Sequence, residues 1–362
     1  MDRAVPFGSA IPLRIDDVTE RWLGDALDLP RGSITSVRVL DQHSGTAARA
    51  RITVKSEADL PPFLFLKMVP HNYMQHVLMN LFQLGTKEIL AYQALGDTPP
   101  VRIPRCYLAR HDRLRRRSIL VLEDLSETAE FRTVVDSVTP DEAAAVIDAL
   151  ADLHAAFWNS PRFDTDLRPL TQRSATEIRL GDMIRKQFLA DINGHAADLV
   201  PDRTKQQCRI FYQRSADIDA FWASQPRTLT HGDTHLGNLF FEAGAPGFLD
   251  WQVASAGPAI RDVAYFANAS VEPDLLRDIE TDLVRRYTDR LVAAGIDADF
   301  ERTWLLYRAA ITELLLAAVC TAEAGDRMQP RDVSRVGVER AVAGVIAHDS
   351  FDVLEALIAE AR

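Results

Sequence analysis

The chain has 362 residues, of which 47% are hydrophobic and 26% charged, and its formal net charge is -11. These values predict a folded globular protein large enough for two lobes, and the acidic balance argues against a nucleic-acid-binding protein. The N-terminal segment Met1–Gly8 lacks the apolar core of a signal peptide, and the most apolar predicted helix, Trp304–Thr321, contains Arg308 and Glu313. We therefore expect a cytoplasmic protein without a membrane segment. The three cysteines lack metal-site spacing and should be reduced packing residues: Cys106, Cys208 and Cys320.

The first two predicted strands in the chain are separated by a short turn. Residues 34–42 and 48–55 are rich in β-branched residues and flank a turn of small residues, which includes Ser44, Gly45 and Thr46. Such a turn can lie over phosphate groups. It contains a single glycine and no Gly-x-Gly-x-x-Gly pattern, so an ordinary hairpin loop fits equally well.

A lysine interrupts the next apolar strand, residues 62–69. Because a buried lysine is almost never unpaired, Lys67 needs an anion unless it reaches water at a sheet edge. The following helix, predicted over residues 74–95, places Glu88 and Tyr92 on one face. Glu88 is therefore the candidate partner of Lys67, although helical glutamates are often solvated.

Ser118–Leu125 predicts a buried strand that runs into an acidic turn, Glu123-Asp124. We place the boundary between two domains here, with residues 1–124 in the first and 125–362 in the second. Four arginines precede this strand, and on an acidic chain they indicate a solvated hairpin tip: Arg113, Arg115, Arg116 and Arg117.

Helices dominate the remainder of the chain. Thr139 followed by Pro140 predicts the start of a core helix, in which His154 should be a packed structural residue. Residues 171–225 also have a helical pattern, with a break between Gly194 and Pro201, and the chain from Asp274 onward is again mostly helical.

A short polar segment between two apolar stretches carries the strongest functional signal. Asp233 and Asn238 stand five positions apart, which is the spacing of a kinase catalytic loop. The aspartate can accept the proton of a hydroxyl group, and the asparagine oxygen can bind Mg²⁺. A predicted hairpin, with strand 239–242 and a turn at 243–247, returns the chain to a second carboxylate, Asp250. Taken alone, an Asp-x₄-Asn pair is ordinary turn chemistry.

The segment Thr230–Phe241 resembles the Brenner-type motif of the aminoglycoside phosphotransferase and choline kinase superfamily. Residues 250–252, Gly257-Pro258 and Arg261–Phe266 most resemble its ecdysteroid-kinase-like branch. This resemblance implies an α+β, bilobal, protein-kinase-like fold, with a small N-terminal lobe of antiparallel sheet plus helix and a larger, mostly helical C-terminal lobe. It also implies ATP and Mg²⁺ as cofactors.

The resemblance further implies a role for several positions. Lys67 would hold the α- and β-phosphates and Glu88 would hold Lys67, while backbone groups from Glu123 to Leu125 would meet the adenine edge. Asp262 would accept hydrogen bonds from the catalytic-loop backbone, and His231 would brace the same loop.

We therefore predict an ATP- and Mg²⁺-dependent phosphotransferase that acts on a hydroxyl of a small molecule, with Asp233 as base and Asn238 and Asp250 as metal ligands. A catalytically silent nucleotide-binding module that regulates a partner is the alternative. Protein kinase activity is disfavoured because the Arg of His-Arg-Asp is missing. The substrate, the role of His235 and the oligomeric state are left open.

Overall fold

The computed structural model describes residues 10–44, 47–70, 80–112, 114–171, 173–325 and 329–361. Within these ranges the chain forms two compact units. Unit 1 contains the described residues of Met1–Pro99, Ile103–Ala129 and Asp250–Val253. Unit 2 contains those of Pro100–Arg102, Glu130–Leu249 and Ala254–Arg362.

Unit 1 is built on a five-stranded antiparallel sheet in the order β1-β2-β3-β5-β4. The strands are β1 (Ile34–Ser44), β2 (Ala48–Ser56), β3 (Phe63–Met68), β4 (Cys106–Asp112) and β5 (Arg117–Glu123). Side chains alternate between the two faces of a strand, so Leu64 and Leu66 pack into a core that includes Trp22 and Leu23 of helix α1 (Glu20–Ala26). Lys67 therefore lies on the opposite face, where β4 and β5 contact a second helix, α2 (Leu84–Leu95).

The helix predicted over residues 74–95 is interrupted, because residues 80–81 are helical and a turn at residues 82–83 separates them from α2. The predicted helix began at residue 74, but residues 71–79 lie outside the described ranges, and α2 begins at Leu84. Gln83 has a φ of 53°, in the left-handed region, which a right-handed helix cannot pass through. The C-terminal part of the predicted helix, which carries Glu88 and Tyr92, is present.

Unit 2 is mostly helical. Its helices are α3 (Pro140–Ala156), α4 (Ala175–Leu189), α5 (Asp202–Gln213), α6 (Ser215–Ala223), α7 (Ile260–Ser270), α8 (Pro273–Ala293), α9 (Phe300–Ala324), α10 (Arg331–Ala347) and α11 (Ser350–Glu360). Its strands are β6 (Glu130–Phe131), β7 (Arg227–Thr230), β8 (Leu239–Glu242), β9 (Ala245–Phe248) and β10 (Ser255–Pro258). They form a three-stranded sheet, β6-β8-β9, and a two-stranded ribbon, β10-β7.

Helix α3 begins where the sequence predicts. The Thr139 hydroxyl accepts from the Glu142 amide, and the Glu142 carboxylate accepts from the Thr139 amide, which makes a capping box. Pro140 occupies the first turn, where a missing N–H costs nothing. The predicted break between helices is also present, since α4 ends at Leu189 and α5 begins at Asp202.

Helix α9 is the central helix of unit 2 and packs against α7, α8, α10 and α11. Among the described helices, it is the one long and apolar enough to cross a membrane by length and composition. This is weak evidence for a membrane span, because the core helix of a soluble protein passes the same test even with Arg308 and Glu313 in its sequence. Of its apolar window, 56% is buried inside the protein, as in a core helix.

Candidate active site

The hairpin between Asn238 and Asp250 has a tighter turn than predicted. Ala243 and Gly244 alone form it, with φ values of 49° and 84°, and β9 already begins at Ala245. Two positive φ values are typical of the two-residue turns whose twist matches antiparallel strands. The ladder runs from Glu242–Ala245 to Leu239–Phe248, and the Leu249 amide donates to the Asn238 carbonyl at 2.8 Å. Asp250 is the next residue in the chain.

Asn238 holds Asp233 through its side-chain amide. The Nδ2 atom of Asn238 donates to the backbone oxygen of Asp233 at 2.9 Å and to its Oδ2 atom at 2.9 Å. Both of these bonds use the amide nitrogen, so the remaining atom of the Asn238 amide is its oxygen, a hard ligand of the kind Mg²⁺ prefers. The two residues that stand five positions apart in the sequence are thus in direct contact in the structure.

Two side chains that the sequence did not assign also contact Asp233. The Nε2 atom of His235 lies 3.5 Å from Oδ2 of Asp233, and Tyr265 from α7 makes a side-chain hydrogen bond with the same carboxylate. Burial alone would raise the pKa of Asp233, but the His235 charge and hydrogen bond, with the bond from Tyr265, lower it to about 2. Asp233 is therefore an anion at neutral pH.

Asp262 holds the backbone of the loop that carries Asp233. Its Oδ2 atom accepts from the His231 amide at 2.6 Å, and its Oδ1 atom accepts from the Gly232 amide at 2.9 Å. Burial opposes ionisation of Asp262, but hydrogen bonds, first from His154 and also from the Gly232 amide, leave its pKa below the usual value. The bonds expected from the resemblance are present, and His154 is a buried partner of this carboxylate.

His231 joins the same loop to the end of the hairpin. Its Nδ1 atom accepts from the Asp233 amide at 3.3 Å, so its Nε2 atom carries the proton and donates to the Leu249 carbonyl at 2.6 Å. The ring is fully buried. These contacts are those of a structural brace.

In unit 1, four charged side chains form a compact cluster. Lys67 Nζ donates to Glu88 Oε1 at 2.7 Å and to Asp250 Oδ1 at 2.9 Å, and Arg49 donates to Asp250 Oδ2 at 2.8 Å. The ion pair predicted between Lys67 and Glu88 is therefore present. Burial, partly offset by Lys67, raises the pKa of Glu88 above its usual value.

The position of Asp250 in unit 1 follows from the chain around it. Asp250 has a φ of 57°, an uncommon conformation for a residue with a side chain. The next turn, Trp251–Val253, packs against α2, the helix that carries Glu88. Asp250 is thereby fixed beside Lys67.

The predicted adenine-binding segment follows the end of β5. The Glu123 amide donates to the Arg105 carbonyl, and the Leu125 carbonyl accepts from the amides of Thr128 and Ala129. Within the described ranges, no group accepts a hydrogen bond from the Leu125 amide. The predicted phosphate-covering turn cannot be placed in the same way, because Gly45, Thr46 and the Ser44 side chain lie outside the described residues.

Arg49 and Tyr265 were not predicted from the sequence. Arg49 pairs in register with Lys67, and cross-strand neighbours share a face, so the strand pattern contained this signal. Tyr265 stands three residues after Asp262 on α7, which puts the two on one helix face.

The described residues contain no group of three or more His, Cys, Asp or Glu that could hold a metal ion. The cysteines are free, and burial raises the pKa of Cys106 and Cys208 to about 12.

Residues 40–298 match the ecdysteroid kinase-like family. An N-acetylmuramate/N-acetylglucosamine kinase from Neisseria meningitidis serogroup B is 30% identical over 131 residues, which are 34% of this chain and 39% of that protein. The chain therefore matches well under half the length of this relative.

Two solved structures share the fold. A choline/ethanolamine kinase family protein from Mesorhizobium loti has a TM-score of 0.51 and 12% identity, covering 93% of this chain and 97% of that one. An ethanolamine kinase from Plasmodium vivax has a TM-score of 0.51 and 11% identity, covering 96% and 92%. At these identities the likeness concerns the fold, and it confirms the predicted α+β kinase-like architecture.

Proposed function

Since the chain belongs to the ecdysteroid kinase-like family, we propose that it is a phosphotransferase that moves the γ-phosphate of ATP to a hydroxyl group of a small molecule. The observation that carries this proposal is the loop in which the Asn238 amide holds the Asp233 carboxylate. The similar proteins named above are kinases of choline or ethanolamine and of amino sugars, whose acceptor groups are hydroxyls.

Asp233 is the residue that receives the substrate hydroxyl. Its carboxylate accepts the hydrogen bond of that hydroxyl and directs the oxygen toward the γ-phosphorus. Because the pKa of Asp233 is lowered to about 2, it is a weak base, and the proton moves to it late, once the new O–P bond has made the hydroxyl acidic. Orientation is therefore its main contribution.

Asn238 and Asp250 are the proposed ligands of Mg²⁺. The Asn238 amide fits this role because its nitrogen is used by Asp233 and its oxygen is the remaining atom. Asp250 supplies a carboxylate, and phosphate oxygens and water complete the coordination. The bound ion would neutralise charge on the β- and γ-phosphates. Two protein ligands suit Mg²⁺, which rarely takes a cage made of protein alone.

The nucleotide contacts come from residues of unit 1. Lys67, paired with Glu88, binds the α- and β-phosphates. The Leu125 amide, together with backbone groups of Glu123, hydrogen-bonds the adenine edge. Ser44, Gly45 and Thr46 cover the phosphates. We assign residues 1–124 to nucleotide binding, with Leu125 at the boundary, and residues 125–362 to catalysis and substrate binding.

The acceptor is a small hydroxylated metabolite, and neither a nucleic acid nor a membrane is part of the proposal. A cytoplasmic location agrees with the use of ATP and with three free cysteines. A silent nucleotide-binding module is the second candidate. It is disfavoured because Asp233 and Asn238 retain the contact that a transfer reaction needs, whereas a module released from catalysis would not need it.

The test is ADP production from ATP and Mg²⁺ over a panel of amino alcohols, amino sugars and other hydroxylated metabolites. We expect turnover with at least one acceptor, and a loss of about 1,000-fold or more in Asp233→Asn. Asp166→Asn is the control, because Asp166 is an exposed partner of Arg162 and should keep full activity. Full turnover by Asp233→Asn would remove the assignment. A thermal shift with MgATP but no turnover would favour the silent module.

A further inference from the structure

Arg49 occupies a position that the proposed reaction leaves unexplained. It lies on β2 directly opposite Lys67 on β3, and both side chains reach the same carboxylate. Lys67 binds Oδ1 of Asp250 at 2.9 Å, and Arg49 binds Oδ2 at 2.8 Å. Each oxygen of Asp250 therefore contacts a different cation.

The two cations differ in how firmly they are held. The Lys67 side chain is 7% exposed and has a second partner in Glu88, which is 4% exposed. The Arg49 side chain is 42% exposed, and Asp250 is the carboxylate that pairs with it. Lys67 can thus lose Asp250 and keep a buried partner, whereas Arg49 can move into solvent at little cost in packing.

A Mg²⁺ ion held by Asp250 would compete with the two cations already on its carboxylate. It would share the negative charge of Asp250 and would repel a guanidinium bound to the same oxygen. Because Lys67 is buried and doubly paired, Arg49 is the group that leaves. Once released, its charge needs a new anion on the same side of the sheet.

We propose that Arg49 is a phosphate-binding residue that exchanges Asp250 for the nucleotide phosphates when the metal-nucleotide complex binds. This inference rests on the proposed function. It adds Arg49 as a phosphate-binding residue, and it adds a competition between Arg49 and the metal ion for Asp250. The planar guanidinium fits two phosphate oxygens at once, and Lys67 already directs its charge to the same face of β2 and β3. In the nucleotide-free protein, Arg49 serves as the counter-ion of Asp250.

The experiment is calorimetric titration of the full chain with adenosine, with ADP in EDTA, and with a non-hydrolysable ATP analogue in Mg²⁺. The proteins are wild type, Arg49→Gln, Arg49→Lys and the control Arg38→Gln, which removes an exposed arginine from the neighbouring strand β1. We expect Arg49→Gln to weaken ADP and the ATP analogue about 10-fold or more, as for loss of one charge-assisted hydrogen bond. Adenosine affinity should be unchanged.

A second readout tests the competition itself. Without nucleotide, Mn²⁺ should bind Arg49→Gln more tightly than wild type, because Asp250 no longer has to release a guanidinium. Arg49→Lys keeps the charge but not the planar fork, so its ADP affinity should lie between those of wild type and Arg49→Gln. Melting curves of the four proteins verify folding, and Arg49→Lys keeps the test valid if Arg49→Gln does not fold.

The outcomes separate this inference from the proposed function. If wild type binds neither ADP nor the ATP analogue, both fail. If wild type binds them and Arg49→Gln binds equally well, Arg49 is only a surface counter-ion and this inference alone is overturned. An equal loss of adenosine affinity would likewise overturn it, because it would indicate a distorted unit 1 and not a missing phosphate contact.

Discussion

His235 lies beside Asp233, with its Nε2 atom 3.5 Å from Oδ2 of Asp233 and 3.4 Å from Nδ2 of Asn238. The ring therefore touches both polar residues of the loop. Its hydrogen bond and charge are the leading contributions that lower the pKa of Asp233 to about 2. We therefore expect His235 to influence catalysis through the orientation and the charge of Asp233.

We expect His235→Ala to lower kcat by about 10- to 100-fold with little change in the KM for ATP, because the loss is one of orientation at Asp233. His235→Gln should lose less, since an amide can still donate to the carboxylate. Steady-state kinetics of both variants, with His43→Gln on β1 as control, provides the measurement. Equal losses in Ala and Gln would mean that hydrogen bonding by this side chain is unimportant.

Lys67 and Glu88 should respond very differently to removal. Lys67→Met removes the buried ammonium group that pairs with both Glu88 and Asp250, and uncompensated buried charge costs about 3–5 kcal/mol. Glu88→Gln leaves Lys67 paired with Asp250, and it removes a carboxylate whose pKa is already raised by burial. We expect Glu88→Gln to change the free energy of unfolding by about 1 kcal/mol or less, while activity falls.

The stability of these variants should also depend on pH, in a direction that follows from the pKa of Glu88. The folded-state pKa of Glu88 is raised, so protonation favours the folded protein, and this contribution is lost as pH rises through that pKa. The effect should be larger in Lys67→Met, because the lysine that opposes it is gone. Urea unfolding at about pH 5.5 and 7.5 should therefore show Lys67→Met recovering stability at the lower pH. Equal deficits at both values would contradict the account.

Asp262→Asn should disturb the loop without removing a reacting group. The carboxylate accepts from two amides, those of His231 and Gly232, whereas an asparagine must turn its NH₂ toward one of them. A buried donor left unsatisfied costs about 1–3 kcal/mol, and we expect kcat to fall at least about 10-fold through displacement of Asp233.

The pKa of Asp262 is lowered in the folded protein. Its contribution to stability is therefore present above the unfolded pKa of about 4 and is lost as pH falls through the folded value. The stability difference between wild type and Asp262→Asn, measured by urea unfolding, should shrink below about pH 4. A stability difference that does not change with pH would indicate that Asp262→Asn acts through packing and not through loss of the charge. His154→Gln, which alters a buried side-chain partner of the same carboxylate, is the matched comparison.

Local patterns predicted the parts of this structure that depend on neighbours in sequence. The alternation in β1 to β3 and the Thr139-Pro140 helix start were readable because strand faces and caps are set by adjacent residues. The pairing of Lys67 with Glu88 followed from the cost of burying a lysine alone. Arg49 and Tyr265 were not predicted, because each meets its carboxylate only through strand register or helix packing. A polar residue on a strand or helix can equally well face solvent, so its presence in the sequence does not indicate a contact with a carboxylate.

A glycine on α10 tests how the helices of unit 2 approach one another. A Cβ atom on Gly344 would overlap the Oδ1 atom of Asn268 on α7 and lie 3.1 Å from the Cγ2 atom of Ile311 on α9, whereas a Cβ on Gly337 in the same helix meets nothing within 4 Å. Both neighbours of Gly344 are buried in helices. We therefore expect Gly344→Ala to cost about 1–3 kcal/mol through overpacking, and Gly337→Ala to gain up to about 1 kcal/mol of helix propensity.

Urea unfolding of the two alanine variants provides the comparison, because both carry the same change in the same helix and differ only in what the new methyl group meets. The cost of Gly344→Ala should also shrink in an Asn268→Ala background, where the overlapping oxygen is gone. If Gly344→Ala were as stable as Gly337→Ala, the close approach of α7 and α10 would tolerate a methyl group, and Gly344 would not be needed for it. A cost that persists in the Asn268→Ala background would instead assign the overlap to Ile311 and α9.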